Sequence, residues 1–232
     1  MFYILHIIQI HTMNWNYNNY MQWKSDGCPV NTNVIELDIS SNHLTTLEGI
    51  NNAVALQELY CSDNHLTTLE GISNLIALRK LYCYYNHITT LEGISNLIAL
   101  QTLGCSTNRL KTLEPIRNLV ALQVLHCDVN PLSTLEPISN LVALQELHCS
   151  HNRLTKLEPI SNLVALQELY CRYNYISSLK PLSNLVELQT LVCSNNEITT
   201  FEGINNLVNL QDVYCPSNSI EYIHPKHNKT IE

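Results

Sequence analysis

Apolar residues recur along this chain in a fixed frame of 22 residues that runs from Val34 to Ile223. In the unit Leu56 to Ala77, LQELYCSDNHLTTLEGISNLIA, they are Leu56, Leu59, Cys61, Leu66, Leu69, Ile72 and Leu75. Leu59 and Cys61 alternate with Tyr60 and Ser62, which is the period of a strand with one buried face. The later apolar residues come every third position, which suits short 3₁₀ turns or extended segments. No single unit can bury its own apolar edge, so neighbouring units must stack into one solenoid with a shared core. Nine parallel strands, one per unit, are expected. Units start at Val34, Leu56, Leu78, Leu100, Leu122, Leu144, Leu166, Leu188 and Leu210, the ninth being truncated.

Polar positions repeat as strictly. An asparagine returns nine times, at Asn42, Asn64, Asn86, Asn108, Asn130, Asn152, Asn174, Asn196 and Asn218. An amide donates and accepts, so each is expected to pair with backbone groups where the chain leaves the strand. A second column, Asn52, Asn74, Asn96, Asn118, Asn140, Asn162, Asn184 and Asn206, is expected to serve the opposite corner. The column Glu48, Glu70, Glu92, Glu114, Glu136, Glu158 and Glu202 is read as capping the back-side turns. Gly49, Gly71, Gly93 and Gly203 exchange with Pro115, Pro137, Pro159 and Pro181 at one turn position.

The frame LxxLxCxxNxLxxLxxIxxLxx resembles the leucine-rich repeat family, with Cys in place of the third Leu, and within it the phosphatase-regulator and internalin-like subclasses. The resemblance covers Val34 to Ile223. It implies a right-handed α/β horseshoe, with a parallel sheet on the concave face and mostly 3₁₀ or extended segments on the convex side. It also implies that ligands dock on the concave face.

Outside the frame, residues 1–33 form a flank and residues 224–232 a polar tail. The apolar run Phe2 to Ile10 falls far short of the roughly 20 residues a membrane helix needs. It carries no basic residue ahead of it and no small-residue cleavage site, so neither a span nor a signal peptide is expected. The flank is read as a strand or short helix that caps the first coil. The apolar residues of the last coil, Leu210, Val213, Ile220 and Ile223, are expected to be partly exposed.

Charge narrows the partners. The net charge is −8 with 14% charged residues and no basic stripe, which argues against nucleic acid. Cysteine usage bears on compartment. Eight of nine cysteines, Cys61, Cys83, Cys105, Cys127, Cys149, Cys171, Cys193 and Cys215, occupy one inward position, and only Cys28 lies outside the array. Side chains on neighbouring parallel strands point in parallel, so reduced, core-filling thiols are expected rather than disulfides or a metal array. Buried free thiols in turn lead to the expectation of an intracellular, cytoplasmic protein.

Candidate chemistry sits on the outward side of the strands. One column reads Asp38, Tyr60, Tyr82, Gly104, His126, His148, Tyr170, Val192 and Tyr214, with Tyr84, Tyr85 and Tyr173 beside it. Tyrosine combines large contact area, few rotors and a polar tip, so Tyr60, Tyr82, Tyr84, Tyr85, His126, His148, Tyr170, Tyr173 and Tyr214 are the expected partner-binding residues. The function expected is a non-enzymatic module that binds a protein partner on its concave face, without cofactor. A second reading is a structural or assembly protein that associates weakly end to end. A third is a metalloenzyme, with His126 and His148 joined by Asp128 and His151. Against it, a flat sheet excludes no water, and no supporting partners for the histidines are evident. His43, His65 and His87 are read as a solvated loop column.

Overall fold

The computed structural model describes residues 13–220. Its backbone is a single parallel sheet in strict sequence order, β1 to β10. The strands are β1 (Met13–Trp15), β2 (Val34–Asp38), β3 (Glu58–Tyr60), β4 (Lys80–Tyr82), β5 (Thr102–Gly104), β6 (Val124–His126), β7 (Glu146–His148), β8 (Glu168–Tyr170), β9 (Thr190–Val192) and β10 (Asp212–Tyr214). From β2 onward each residue pairs with its equivalent 22 positions on, as Leu59 with Leu81 and His126 with His148. Single 3₁₀ turns such as Glu70–Ile72 and Glu114–Ile116 form the opposite wall. This is the solenoid that the resemblance implies, a parallel sheet facing a wall of 3₁₀ turns.

The sheet has ten strands rather than nine. The extra one, β1, comes from the flank and pairs with β2 through Asn14 opposite Glu36 and Trp15 opposite Leu37. A capping strand or helix was expected in the flank, but three residues offer no alternation to detect, so the sequence did not place β1 at Met13–Trp15. Helix α1 (Tyr17–Ser25) follows, opened by a capping box in which the Asn16 and Asn19 side chains and backbones exchange hydrogen bonds. It lays Tyr20 and Trp23 on the first coil, both buried. Trp23 donates its indole N–H to the Pro29 carbonyl at 2.9 Å and meets Trp15 edge to face. Burial pushes the Tyr20 hydroxyl up to about 12. The run Phe2 to Ile10 and the tail lie outside the described residues, as does Ile223. Leu210, Val213 and Ile220 are partly buried at the other end.

The interior is a stack of leucine and isoleucine columns with no solvent exposure from Leu56 to Ile198. The asparagine column closes each coil onto the one before it. Asn130 donates from Nδ2 to the carbonyls of Cys127, Asp128 and, one coil back, Cys105, while its Oδ1 accepts from the Leu110 N–H. The second asparagine column differs from expectation except at Asn52, whose Nδ2 donates to the Cys28 carbonyl at 2.7 Å. Asn74, Asn96, Asn118 and Asn162 are exposed, and it is their backbone carbonyls that accept from the N–H two residues on. That pattern is an inverse γ-turn, as the angles of Leu185 (φ −83°, ψ 66°) show. The glutamates do open the 3₁₀ turns, where an acidic group suits the turn start, but they make no side-chain capping bond. A threonine two residues earlier accepts the glutamate N–H, as Thr68 Oγ1 does for Glu70 at 3.2 Å.

The expectation of a wholly reduced cysteine column is corrected at one rung. Cys193 and Cys215 form a disulfide with Cα atoms 4.9 Å apart, while Cys28 and the other six column cysteines are free. In-register neighbours on parallel strands sit within the 4.4–6.8 Å that a disulfide spans, and a turn about χ1 brings parallel side chains face to face. The argument from strand direction was therefore too strict. A uniformly reduced array no longer stands behind an intracellular location. Among the described residues, no helix is long and apolar enough to cross a membrane.

Candidate functional site

The position after the strand bend has a left-handed backbone in every coil: Ser41, Asp63, Tyr85, Thr107, Val129, His151, Tyr173, Asn195 and Ser217 have φ between 51° and 58°. A left-handed step redirects the chain towards the buried asparagine and throws this side chain outward. It places Tyr85 and Tyr173 on the rim, 65% and 48% exposed. Tyr173 stacks on His151 at 4.2 Å, so His151 stays on the rim and takes no part in the histidine pair of the sheet.

On the sheet itself the outward aromatic side chains form a ladder. Tyr60 stacks on Tyr82 at 5.1 Å, and Tyr82 meets Tyr84 at 5.8 Å. Tyr84 approaches His126, His126 stacks on His148 at 4.2 Å, and His148 meets Tyr170 at 4.2 Å. Val192 separates Tyr214 from this run. The step from Tyr84 to His126 crosses a whole coil, and Gly104 permits it. A Cβ on Gly104 would lie 2.2 Å from Tyr84 Cζ, and the glycine is buried beneath that ring.

Polar contacts stiffen the ladder. Tyr60 and Tyr170 donate to Glu58 and Glu168, and Lys80 pairs with Glu58 at 2.9 Å. Desolvation first, then the Glu58 hydrogen bond, pushes Tyr60 up to about 12. The Lys80 hydrogen bond holds Glu58 below the usual carboxylate range.

At the centre, three groups converge. His126 Nε2 is 2.8 Å from Glu146 Oε1, and its Nδ1 is 2.7 Å from the Tyr84 hydroxyl. His148 Nε2 is 2.9 Å from the same Glu146 oxygen but off the direction of a hydrogen bond, so it is buried without a partner. Burial, and then His126, holds His148 below the ordinary imidazole value, against the opposing pull of Asp128, Glu146 and Glu168. Asp128 is occupied elsewhere. It accepts from the Ser150 N–H at 2.7 Å and from Ser106 Oγ at 3.1 Å, and stands 4.0 Å from His148 Nδ1. Sequence reasoning had placed Asp128 with the histidines, whereas Glu146 is the carboxylate between them. The signal for Glu146 was its position two residues before His148, on the same strand face.

A second surface went unread. Val54, Ile76, Ile98, Val120, Val142, Val164, Val186 and Val208 occupy one frame position between the 3₁₀ turn and the strand, and all are exposed. The periodicity marks them plainly, because that position is aliphatic and β-branched in eight successive units. His43, His65 and His87 form a further stack, with centroids 5.4 and 5.9 Å apart.

The family of leucine rich repeats in two copies matches residues 32–74, 54–97, 76–118 and 142–184. Among solved structures, the chain is similar to an internalin C2 from Listeria monocytogenes, at 30% identity and a TM-score of 0.74, covering 75% of this chain and 77% of that one. It is also similar to the functional domain of InlJ from Listeria monocytogenes, described as including a cysteine ladder, at 31% identity and a TM-score of 0.74, covering 80% of this chain and 40% of that one. A third is the ectodomain of the plant membrane receptor kinase GASSHO1/SCHENGEN3 from Arabidopsis thaliana, in complex with CASPARIAN STRIP INTEGRITY FACTOR 2. There identity is 27% and the TM-score 0.70, over 81% of this chain and 24% of that one. No curated protein matches the sequence.

Proposed function

This chain belongs to the leucine-rich repeat family, and on that premise we propose that it is a non-enzymatic module that docks a protein partner on its concave face. The observation that carries this reading is the aromatic ladder from Tyr60 to Tyr170, flanked by the exposed Tyr85, Tyr173 and Tyr214. Aromatic groups already stacked on their neighbours lose little rotamer freedom when a partner covers them. The acidic groups beside them, Glu58, Glu168 and Asp212, favour a partner with basic side chains at the rim. The Arabidopsis receptor ectodomain, a neighbour of the same fold, was solved in complex with CASPARIAN STRIP INTEGRITY FACTOR 2.

The test is affinity capture from native extract with wild type and with a Tyr82→Ala/Tyr170→Ala double variant. The variant keeps its fold and loses the partner, because truncating an interface aromatic costs on the order of 2 kcal/mol where it is a hot spot. Unchanged capture by the double variant, with loss in Ile98→Asp, moves the interface to the aliphatic ridge and overturns the concave-face assignment. Association through the solenoid ends is a separate reading, supported by the half-buried Leu210 and Val213 of the last coil. Sedimentation across a concentration series tests it.

A further inference from the structure

The His126, Glu146 and His148 cluster has a geometry that partner docking does not require. We propose that His126 Nε2, His148 Nε2 and Glu146 Oε1 form a binding site for one divalent transition-metal ion, of which Zn²⁺ is the probe. Both Nε2 atoms lie within 2.9 Å of Glu146 Oε1, and one ligand atom from each of the three residues lies within 4.8 Å of the others, close enough for a single ion to reach all three at the roughly 2.0–2.2 Å of zinc–nitrogen and zinc–oxygen bonds. Two imidazoles and one carboxylate are a donor set suited to zinc and its neighbours, and leave one coordination position open to water.

Three further observations point to an ion rather than to an ordinary polar cluster. His148 Nε2 is buried and unpartnered although it faces a carboxylate oxygen 2.9 Å away. Two ring nitrogens aim at one oxygen that can align with only one of them, so the cluster satisfies two of its three groups. An ion at the centre engages all three. The group behind one of the two histidines is also in place, while the carboxylate nearest the other, Asp128, is bonded to Ser106 and Ser150. A metal-bound imidazole ordinarily donates its other N–H to an acceptor. Tyr84 stands 2.7 Å from His126 Nδ1 for that role, whereas Asp128, 4.0 Å from His148 Nδ1, is beyond hydrogen-bond reach. With Nε2 on the ion, the His126 ring proton sits on Nδ1 and the Tyr84 hydroxyl oxygen accepts it. Register supplies the pre-organisation, since His126 and His148 are paired residues of adjacent strands and Glu146 shares a strand face with His148.

The test is calorimetric titration of chelator-treated full-length protein with Zn²⁺, with Co²⁺ absorption as a report on ligand type. One ion per chain is expected, with a Co²⁺ spectrum free of thiolate charge transfer. His148→Ala and Glu146→Gln each abolish binding, and circular dichroism confirms that both variants remain folded. Tyr84→Phe weakens binding about 10–100-fold, the usual effect of removing a group behind a ligand. Cys28→Ser and His65→Ala leave it unchanged, which separates this site from the free thiol and from the other histidine stack. No binding to the wild type at millimolar Zn²⁺ overturns the proposal. So does binding that survives both His148→Ala and Glu146→Gln, or a thiolate band with Co²⁺.

Discussion

The hydroxyl of Tyr84 lies 2.7 Å from Nδ1 of His126, 42 residues and two coils away. The contact exists because Gly104, on the coil between, has no side chain to hold the two apart. Three positions thus act as one unit, and their coupling is measurable. In the wild type, Gly104→Ala drives a methyl into the Tyr84 ring and costs about 1–2 kcal/mol. In a Tyr84→Ala background the same substitution is neutral or stabilises by about 0.5 kcal/mol, because alanine in a strand is less costly than glycine. Equal effects in the two backgrounds, read by urea melts, would show that Tyr84 does not cover the glycine.

The two asparagine columns separate sharply. Asn130 serves three carbonyls and one N–H, all in the buried turn, so Asn130→Ala leaves several backbone groups without partners. A loss of at least about 3 kcal/mol is expected. Asn162→Ala, in the exposed column, stays within about 0.5 kcal/mol of the wild type. Chemical denaturation of both variants checks the contrast, and equal losses would contradict it.

Burial pushes the Cys83 and Cys171 thiols up to about 12, and the Cys61, Cys105, Cys127 and Cys149 thiols well above their usual value. Such groups are neither accessible nor ionised at neutral pH. Alkylation of native protein is therefore expected to modify Cys28 alone. Unfolding without reductant raises the count to the seven free cysteines, and added reductant releases the Cys193–Cys215 pair as well. Mass spectrometry that found nine thiols without reductant would remove the disulfide.

His148 sets a pH dependence. Its imidazole is held below the ordinary value of 6.5, chiefly by burial and then by His126, with Asp128, Glu146 and Glu168 opposing. The unfolded chain therefore takes up this proton at a higher pH than the folded one. The stabilising contribution of the neutral ring is complete above about pH 6.5 and is lost as pH falls through the lower folded value. Melting temperature is expected to drop between pH 7 and pH 5 in the wild type, and less steeply in His148→Asn. Parallel profiles would assign the acid sensitivity to other groups.

Most of this architecture was legible because the frame repeats. One unit's alternation of Leu59 and Cys61 with Tyr60 and Ser62 foretold the inward and outward faces of every strand. What repetition cannot convey is contact across coils between residues that break the frame. Tyr84 is the only aromatic at its position and Gly104 the only glycine in its column, so their fit shows only when the sheet is assembled. Glu146 shares its column with Glu58, Glu168 and Asp212, and only the assembled sheet sets it 2.8 Å from His126. The threonines that hold the turn N–H groups were overlooked because the adjacent glutamates carried the more conspicuous charge.

The asparagine bonds also give the solenoid a direction. Each amide reaches back, so the turn of one coil is completed only when the next coil arrives to supply an acceptor for Leu110 N–H or a second donor for Cys105. A chain emerging from a ribosome meets this requirement in order, with every new coil locking its predecessor and offering an open socket to its successor. The two ends are therefore chemically unlike. At the first unit of the frame, and among the described residues, the Asn42 Nδ2 reaches only the Ser40 carbonyl. Lengthening such a protein at its carboxyl end extends a template already laid down, and shortening it there unlocks the coil left behind.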